Sequence, residues 1–478
     1  MSRVAMFVRN DATRDSRVLR EAATLTQAGH QVTIMAVNPA AGGLPLREER
    51  DGFEIVRVEL PSSWRLIPAW IRAPWRLRGR AVASFKRALR DGPAGWFRAA
   101  LILIACVLSI PWMIIRAALH VARGRSDEAR RGRLDWLLAW QFGTLAWARD
   151  AGRAAPPSDI YHGHDLTGLA AAVVAADRTP GIVVYDSHEI FLESGTYAEL
   201  PGWIRRWIGR LERRLAGRAT AVVTVNPMIG VELERRMPVR RLVIVHNCPP
   251  RWEPRNPPAD LIRAAAGIPS GVPLLLYHGG FSAHRGLEQI AESILEPGLE
   301  TAHAVYLGYG SQRPMLDRLV LEPRFGGRLH VLDAVDPDVL LDWVAGADVG
   351  VIPGQPSTLN HLLSSPNKLF EALAAGVPVV IMDFPYVHRI VLDDPGGPFG
   401  AVCDPADPAS IAAAVRAIIE LPPAERDALR ARCLAIAHDR WNWETESVRL
   451  VTLYEELAAQ AGASSGSTNR GTGTAQSS

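Results

Sequence analysis

The chain has 478 residues, 48% hydrophobic and 22% charged, proportions of a globular protein that exclude the fibrous and disordered classes. That length exceeds what a single core organises and points to two domains of ordinary size. The four cysteines, Cys106, Cys248, Cys403 and Cys433, are scattered, which excludes a disulfide framework or a zinc site and fits a reducing cytoplasm, while a net charge of only +3 conceals a strong local asymmetry.

Residues 4–8, the amphipathic stretch 16–28 stopped by Gly29, and residues 31–37 make a β-α-β unit, the opening of a doubly wound sheet. The amino terminus, MSRVAMFVRND, goes directly into this first strand without the basic-then-apolar order of a signal peptide, so a cytoplasmic location is expected. The turn after the strand, residues 9–17, contains no glycine, whereas a dinucleotide fold would place its glycine-rich fingerprint there; NAD and FAD enzymes are thereby disfavoured. Arg14 and Arg17 stand in that turn instead. They suit an acidic or phosphorylated acceptor, or are solvated arginines at a helix start.

After a strand at 53–60 the pattern breaks. Residues 64–150 hold 16 Lys and Arg against 5 Asp and Glu, a balance of +11 that leaves −8 for the rest of the chain, and 8 of the 14 tryptophans. Within the block, Ala99 to Ile115 carries no charge for 17 residues. As a helix that run spans about 25 Å, short of the ~30 Å hydrocarbon core, and Pro111 would kink it. A single crossing would also separate the strands of one sheet across the bilayer. The expectation is a monotopic insertion, re-entrant or in-plane, with arginines on anionic headgroups and tryptophans at the interface. An apolar helical subdomain packed on the protein is the alternative.

The sheet resumes at 158–165 (SDIYHGHD) and 182–185, followed by Asp186-Ser187-His188-Glu189. Two consecutive strands thus end in His-Asp and His-Glu pairs, crowding His164, Asp165, His188 and Glu189 at one edge, which core packing does not require. Residues 201–218 form a basic helix with Trp203 and Trp207 on one side, either a second membrane-facing element or a solvated helix. Residues 247–272 are proline-rich and read as a linker between an N-terminal domain, 1–246, and a C-terminal domain, 273–440.

The second sheet begins at Leu274. It leads to Gly279-Gly280-Phe281-Ser282-Ala283-His284-Arg285-Gly286, a turn whose small residues let backbone approach a ligand and whose Arg285 can hold phosphate with forked donors. Further strand ends fall at Gly308-Tyr309-Gly310 and near Val335. Residues 364–380, SSPNKLFEALAAGVPVV, then read as loop, short helix and strand, with helix start at Pro366-Asn367 and stop at Gly376. Free N–H groups and the positive dipole end at Asn367 attract phosphate, and Lys368 adds a full charge. One turn on, Glu371 can accept hydrogen bonds from two ribose hydroxyls. A capped helix with a solvated Lys–Glu pair is the bland alternative. Residues 441–460 form a last helix, and 461–478 a disordered tail.

The run from Ser365 to Val380 resembles the nucleotide-sugar site of GT-B glycosyltransferases, in particular the family 4 (group 1) retaining enzymes. The resemblance implies an α/β architecture of two doubly wound Rossmann-like domains facing a cleft, here with the membrane-associated helical insertion in the first. It implies a retaining hexosyltransferase that takes a UDP- or GDP-sugar as co-substrate, with no cofactor. By position it puts Lys368 and Arg285 on the diphosphate and Glu371 on the ribose. It also puts the nucleobase near Val335 and the loop at Gly308 and Tyr309, and His164 opposite the donor sugar. Gly279, Gly280 and Asn367 complete the donor side. Asp165, His188 and Glu189 join Arg14 and Arg17 on the acceptor side.

Two positions depart from the family pattern: Leu363 stands where many relatives have a first glutamate, and Gly280 where an arginine is usual. No Asp-x-Asp motif stands at a suitable strand end, so no metal is expected. The acceptor is expected to be a glycan, lipid-linked if the insertion lies beside the cleft; no nucleic-acid partner is expected, and the oligomeric state stays open. The last helix is expected to cross back onto the first domain. A nucleotide-sugar 2-epimerase of the same fold, or a non-catalytic nucleotide-binding or scaffold member, are the alternatives.

Overall fold

The computed structural model describes residues 1–38, 43–59, 95–96, 99–100, 144–255 and 260–468. In this range β1 (Arg3–Phe7), β2 (Gln31–Asn38), β3 (Arg47–Arg50), β4 (Phe53–Glu59), β5 (Ile160–His164), β6 (Ile182–Ser187), β7 (Ala221–Thr224) and β8 (Leu242–Ile244) form one sheet in the order β3-β4-β2-β1-β5-β6-β7-β8. The pairings are parallel except for β3 on β4. A second, wholly parallel sheet runs β11-β10-β9-β12-β13-β14, built from β9 (Leu274–Gly280), β10 (His303–Tyr309), β11 (Leu329–Asp333), β12 (Val349–Ile352), β13 (Val379–Met382) and β14 (Gly400–Cys403).

Helices cover both faces of each sheet, so central strands are apolar on both sides. In β13 (VVIM) all four residues are buried, as are the first five of β9 (LLLYH). Each sheet reverses its winding once, between β1 and β5 in the first and between β9 and β12 in the second. In open α/β sheets the crevice beyond the carboxyl ends at such a reversal is where ligands bind. The four segments that follow these strands are the turn at 8–17, Asp165, the Gly279–Gly286 turn, and the stretch from Pro353 to Lys368.

The helix Trp443–Thr468 leaves the second sheet and packs on the first. Leu450, Leu453, Tyr454 and Leu457 share a buried cluster with Val4, Met6 and Val18, and Trp443 Nε1 donates to Thr24 Oγ1 at 2.8 Å. The return of this helix matches expectation, but it continues to Thr468, past the expected end near 460.

The membrane-associated insertion expected over 64–150 lies mostly outside the described residues. Its final part is described: residues 144–154 are helical, with Trp147, Ala148 and Ala151 buried in one cluster with Phe7, Met35 and Tyr161. This tryptophan therefore serves the core of the first sheet, not a membrane surface. Among the described residues no helix is long and apolar enough to cross a membrane.

Candidate functional site

A cleft of about 1050 Å³ separates the two sheets. Arg14, Arg17, His188 and Glu189 line one wall, and His284, Arg285, Asn367 and Lys368 the other. On the second wall the helix Asn367–Ala374 starts after Pro366 with no side chain capping it, so its first N–H groups face the cleft without a side-chain acceptor. Leu369, Phe370 and Leu373 are fully buried and fix the helix against the sheet, which leaves Asn367, Lys368 and Glu371 for other contacts. Lys368 Nζ stands 4.8 Å over the Tyr277 ring, a cation–π contact that holds the ammonium near the helix start.

Gly279 ends the straight part of β9 with φ +105, and a Cβ there would lie 3.5 Å from both Cε and Nζ of Lys368. That distance is ordinary contact, so it is the left-handed backbone at Gly279, with the lysine lying against it, that calls for glycine. At Gly308 on the neighbouring strand a Cβ would come within 2.0 Å of the Gly279 carbonyl oxygen, so glycine is what lets the two strand ends lie side by side. Arg285 Nε donates to Ser282 Oγ at 3.2 Å, within its own turn. A Cβ at Gly280 would meet nothing within 4 Å.

Glu371 is paired in a way the spacing does not reveal. Its Oε2 lies 2.9 Å from Nε2 of His278, a buried residue near the end of β9. Burial works to raise the Glu371 carboxyl, but the His278 hydrogen bond, with Lys368 and Arg20 nearby, outweighs it and holds the group below the ordinary glutamate range. Glu371 therefore stays ionised, an acceptor-only carboxylate one turn from the lysine.

The first wall is backed by a buried ionic cluster. Asp186, at the end of β6, accepts from Arg17 Nε and Nη2 at 3.1–3.2 Å, and Arg17 Nε also lies 3.0 Å from Glu21 Oε1. Nδ1 of His164 is 3.4 Å from Asp186 Oδ2, and Nε2 of His162 is 3.7 Å from it. His188 lies in front, its Nε2 3.3 Å from Asp186 Oδ2 and 3.1 Å from His164 Nδ1. Burial alone would lower the His188 pKa, but the carboxylates of Asp186 and Asp165 outweigh it and raise it to about 10. His188 therefore presents an imidazolium to the cleft. Burial and the neighbouring His162 hold His164 neutral, its pKa lowered. The Asp186 carboxyl resists its own burial because Arg17 and His188 keep it well below the usual range.

Glu21, His162, His164 and Asp186 offer ligand atoms within 4.8 Å of one another, and all four are buried. Arg17 lies against both carboxylates, so the charge a divalent ion would neutralise is already balanced there. Asp165 follows β5 with φ +53, an uncommon backbone for a residue other than glycine. Glu189 reaches across the cleft, where Asn360 Nδ2 donates to its Oε2 at 3.0 Å.

Residues 272–420 match the family model described as glycosyl transferases group 1, and residues 116–248 the one described as glycosyl transferase 4-like domain. Sucrose-phosphate synthase from Thermosynechococcus elongatus superposes with a TM-score of 0.63 at 16% identity, over 96% of this chain and all of that one. The chain belongs to the GT-B glycosyltransferases, in the family 4-like group. Anabaena HepE in complex with UDP-glucose also resembles this glycosyltransferase, with a TM-score of 0.62 at 12% identity, over 95% of this chain and all of that one. Glycogen synthase of Mycobacterium tuberculosis H37Rv is 24% identical over 327 residues, 64% of this chain and 70% of that protein.

Of the expected residues, the glycosyltransferase gathers Arg14, His188, Glu189, Arg285, Asn367 and Lys368 around the cleft. Others are placed otherwise: Asp165, Gly279, Gly280 and Glu371 are not among the residues that line it. Arg17 touches the cleft, but its guanidinium is engaged by Asp186, Glu21 and the Val245 carbonyl, so it is a buried counter-ion and not a free acceptor ligand. His164 is 1% exposed and lies behind His188, which stands between it and the cleft. Gly308, Tyr309 and Val335 stand at or beyond the ends of β10 and β11; Tyr309 is 63% exposed, and Val335 packs on the core of the second sheet.

Leu363, the departure from the family pattern, packs with Leu359 against the core of the first sheet, and Asn226 Nδ2 donates to its carbonyl at 2.9 Å. That position joins the two halves. Sequence reading missed Glu21, His162, Asp186 and His278 as partners in the site. The signal for Glu21 was present: Arg17 and Glu21 fall on the same buried stripe as Val18, Ala22 and Leu25.

Proposed function

We propose that this glycosyltransferase moves a hexose from a UDP- or GDP-sugar to a hydroxyl of a lipid-linked or cell-envelope glycan, with retention at the anomeric carbon. The observation that carries the reading is the uncapped start of the Asn367–Ala374 helix, with Lys368 beside it, opening into a cleft whose other wall presents His188 and Glu189.

In this reading the helix N-terminus, Lys368 and Arg285 hold the diphosphate and stabilise the charge that develops on it as the glycosyl–phosphate bond breaks, the larger electrostatic demand of the reaction. Glu371, ionised and oriented by His278, accepts from the ribose hydroxyls. The acceptor hydroxyl approaches from the side of Arg14, His188 and Glu189, and the leaving phosphate oxygen takes its proton as the new bond forms on the same face. His188, as a fixed cation, suits an anionic or phosphorylated acceptor. No metal or further cofactor enters the proposal. Contact of Asn360 with Glu189 and of Asn226 with Leu363 keeps the halves together and limits water at the reacting centre. The work site is the cytoplasmic face of a membrane.

The test is incubation of membranes containing the protein with labelled UDP- and GDP-sugars. The reading expects label from one donor in the lipid-extractable fraction, lost in Lys368→Ala. Donor converted to an epimer with no acceptor consumed would favour the epimerase instead, and no turnover of either donor would contradict a catalytic role.

A further inference from the structure

We infer that the helix Gly202–Ala216 docks the first half of the molecule onto an anionic phospholipid surface through one continuous face. Trp203 is 67% exposed and Trp207 44%, and Arg206, Arg210, Arg213 and Arg214 are exposed beside them. At 3.6 residues per turn these six positions fall within a stripe about 120° wide. The opposite face carries Ile204, Ile208, Glu212 and Ala216, all buried. The helix's one acidic residue is thus withdrawn from the exposed face into the interior, and there Tyr185 Oη donates to Glu212 Oε1 at 2.8 Å.

Two indoles left in water next to arginines, with no carboxylate among them, match the headgroup layer of a bilayer, where tryptophan finds an apolar and a polar environment and guanidinium finds phosphate. An acidic protein would complement the arginines but gives no reason for two separate indoles in the same stripe. Arg205, on the inward face with Glu212 and Ala216, pairs instead with Glu193 at 2.6 Å and donates to the Ala198 carbonyl at 2.9 Å. That contact ties the helix start to the cleft, because Gly195, Ala198 and Glu199 line it with His188 and Glu189. The inference stands apart from the acceptor reading above, since it concerns where the first half docks and not what the cleft receives. It is independent of the insertion, whose residues precede this helix by more than fifty positions.

The test is sedimentation of the purified full chain with phosphatidylcholine vesicles, with and without phosphatidylglycerol. Each arginine near an anionic surface contributes about a five-fold change in partition, so Arg206→Glu with Arg210→Glu lowers binding to the anionic vesicles at least about 20-fold. Binding of UDP and GDP in detergent stays within two-fold. Because other segments of the chain can also bind lipid, a second measurement isolates this face: brominated phosphatidylglycerol quenches tryptophan emission less in Trp203→Phe with Trp207→Phe than in the wild type. Unchanged partition in the arginine variant, or equal quenching in the tryptophan variant, overturns the inference. Vesicle binding is read without turnover, so a failed transfer assay leaves this result interpretable, and the reverse also holds.

Discussion

Replacing Asp186 by asparagine keeps the shape of the side chain and removes the charge that Arg17 and His188 share. Arg17 is 3% exposed and would keep only Glu21 as a counter-ion. Breaking a buried pair by removing one partner costs about 3–5 kcal/mol. The lower end applies here, because the Glu21 carboxyl, raised by its burial, can ionise when its neighbour no longer carries charge. For a unit of roughly 250 residues, ~3 kcal/mol lowers the thermal midpoint by about 6–12 °C.

The loss depends on pH with a definite sign. The His188 pKa is raised from 6.5 to about 10, so its stabilisation is fully present below 6.5 and is lost as pH rises through 10. Asp186 has a lowered pKa, so its own contribution is lost only in acid, below its ordinary value of 3.8. Differential scanning calorimetry should therefore find the gap between wild type and Asp186→Asn widest near pH 6 and narrowing toward pH 10. The imidazole resonance of His188 should titrate at lower pH in the variant than in the wild type. A midpoint shift under 2 °C with His188 titrating as in the wild type would refute the buried-cluster account.

Glu371→Ala removes the candidate ribose acceptor and leaves His278 without its partner. Hydrogen bonds to a charged group contribute about 1.5–3 kcal/mol, so UDP or GDP binding by calorimetry should weaken ~10–150-fold; unchanged affinity would contradict the assignment. Gly279→Val sets a branched side chain at φ +105 against Lys368, and donor binding should be lost. Gly267→Ala, also at positive φ but with nothing within 4 Å, serves as the control for backbone strain and should leave donor binding intact.

The two sheets and the helix Asn367–Ala374 were legible because parallel strands buried on both faces write continuous apolar runs, as in Leu274 to Tyr277, and because Pro366 and Gly376 bracket the helix. β3 was not legible. Its sequence, REER, is an antiparallel edge with one partner, and charge, not alternation, marks such an edge. β14 (GAVC) carries too few large apolar residues to stand out. The last helix runs through GASSGST, a composition that argues for a tail, and so was placed too short.

At the site, local chemistry was readable and long-range pairing was not. Lys368 and Glu371 announce themselves by spacing, whereas the His278–Glu371 contact joins residues 93 apart. Arg17 resembles a solvated arginine in sequence because nothing local shows that Asp186, 169 residues on, will bury it.

The most direct measurement of the central claim compares nucleoside diphosphate with bare nucleoside on the wild type and on Lys368→Ala. If the lysine and the helix start grip the pyrophosphate, the substitution should weaken UDP or GDP, whichever binds, by ~10–150-fold while uridine or guanosine changes by less than two-fold. Equal losses for both kinds of ligand, or no loss for either, would contradict it.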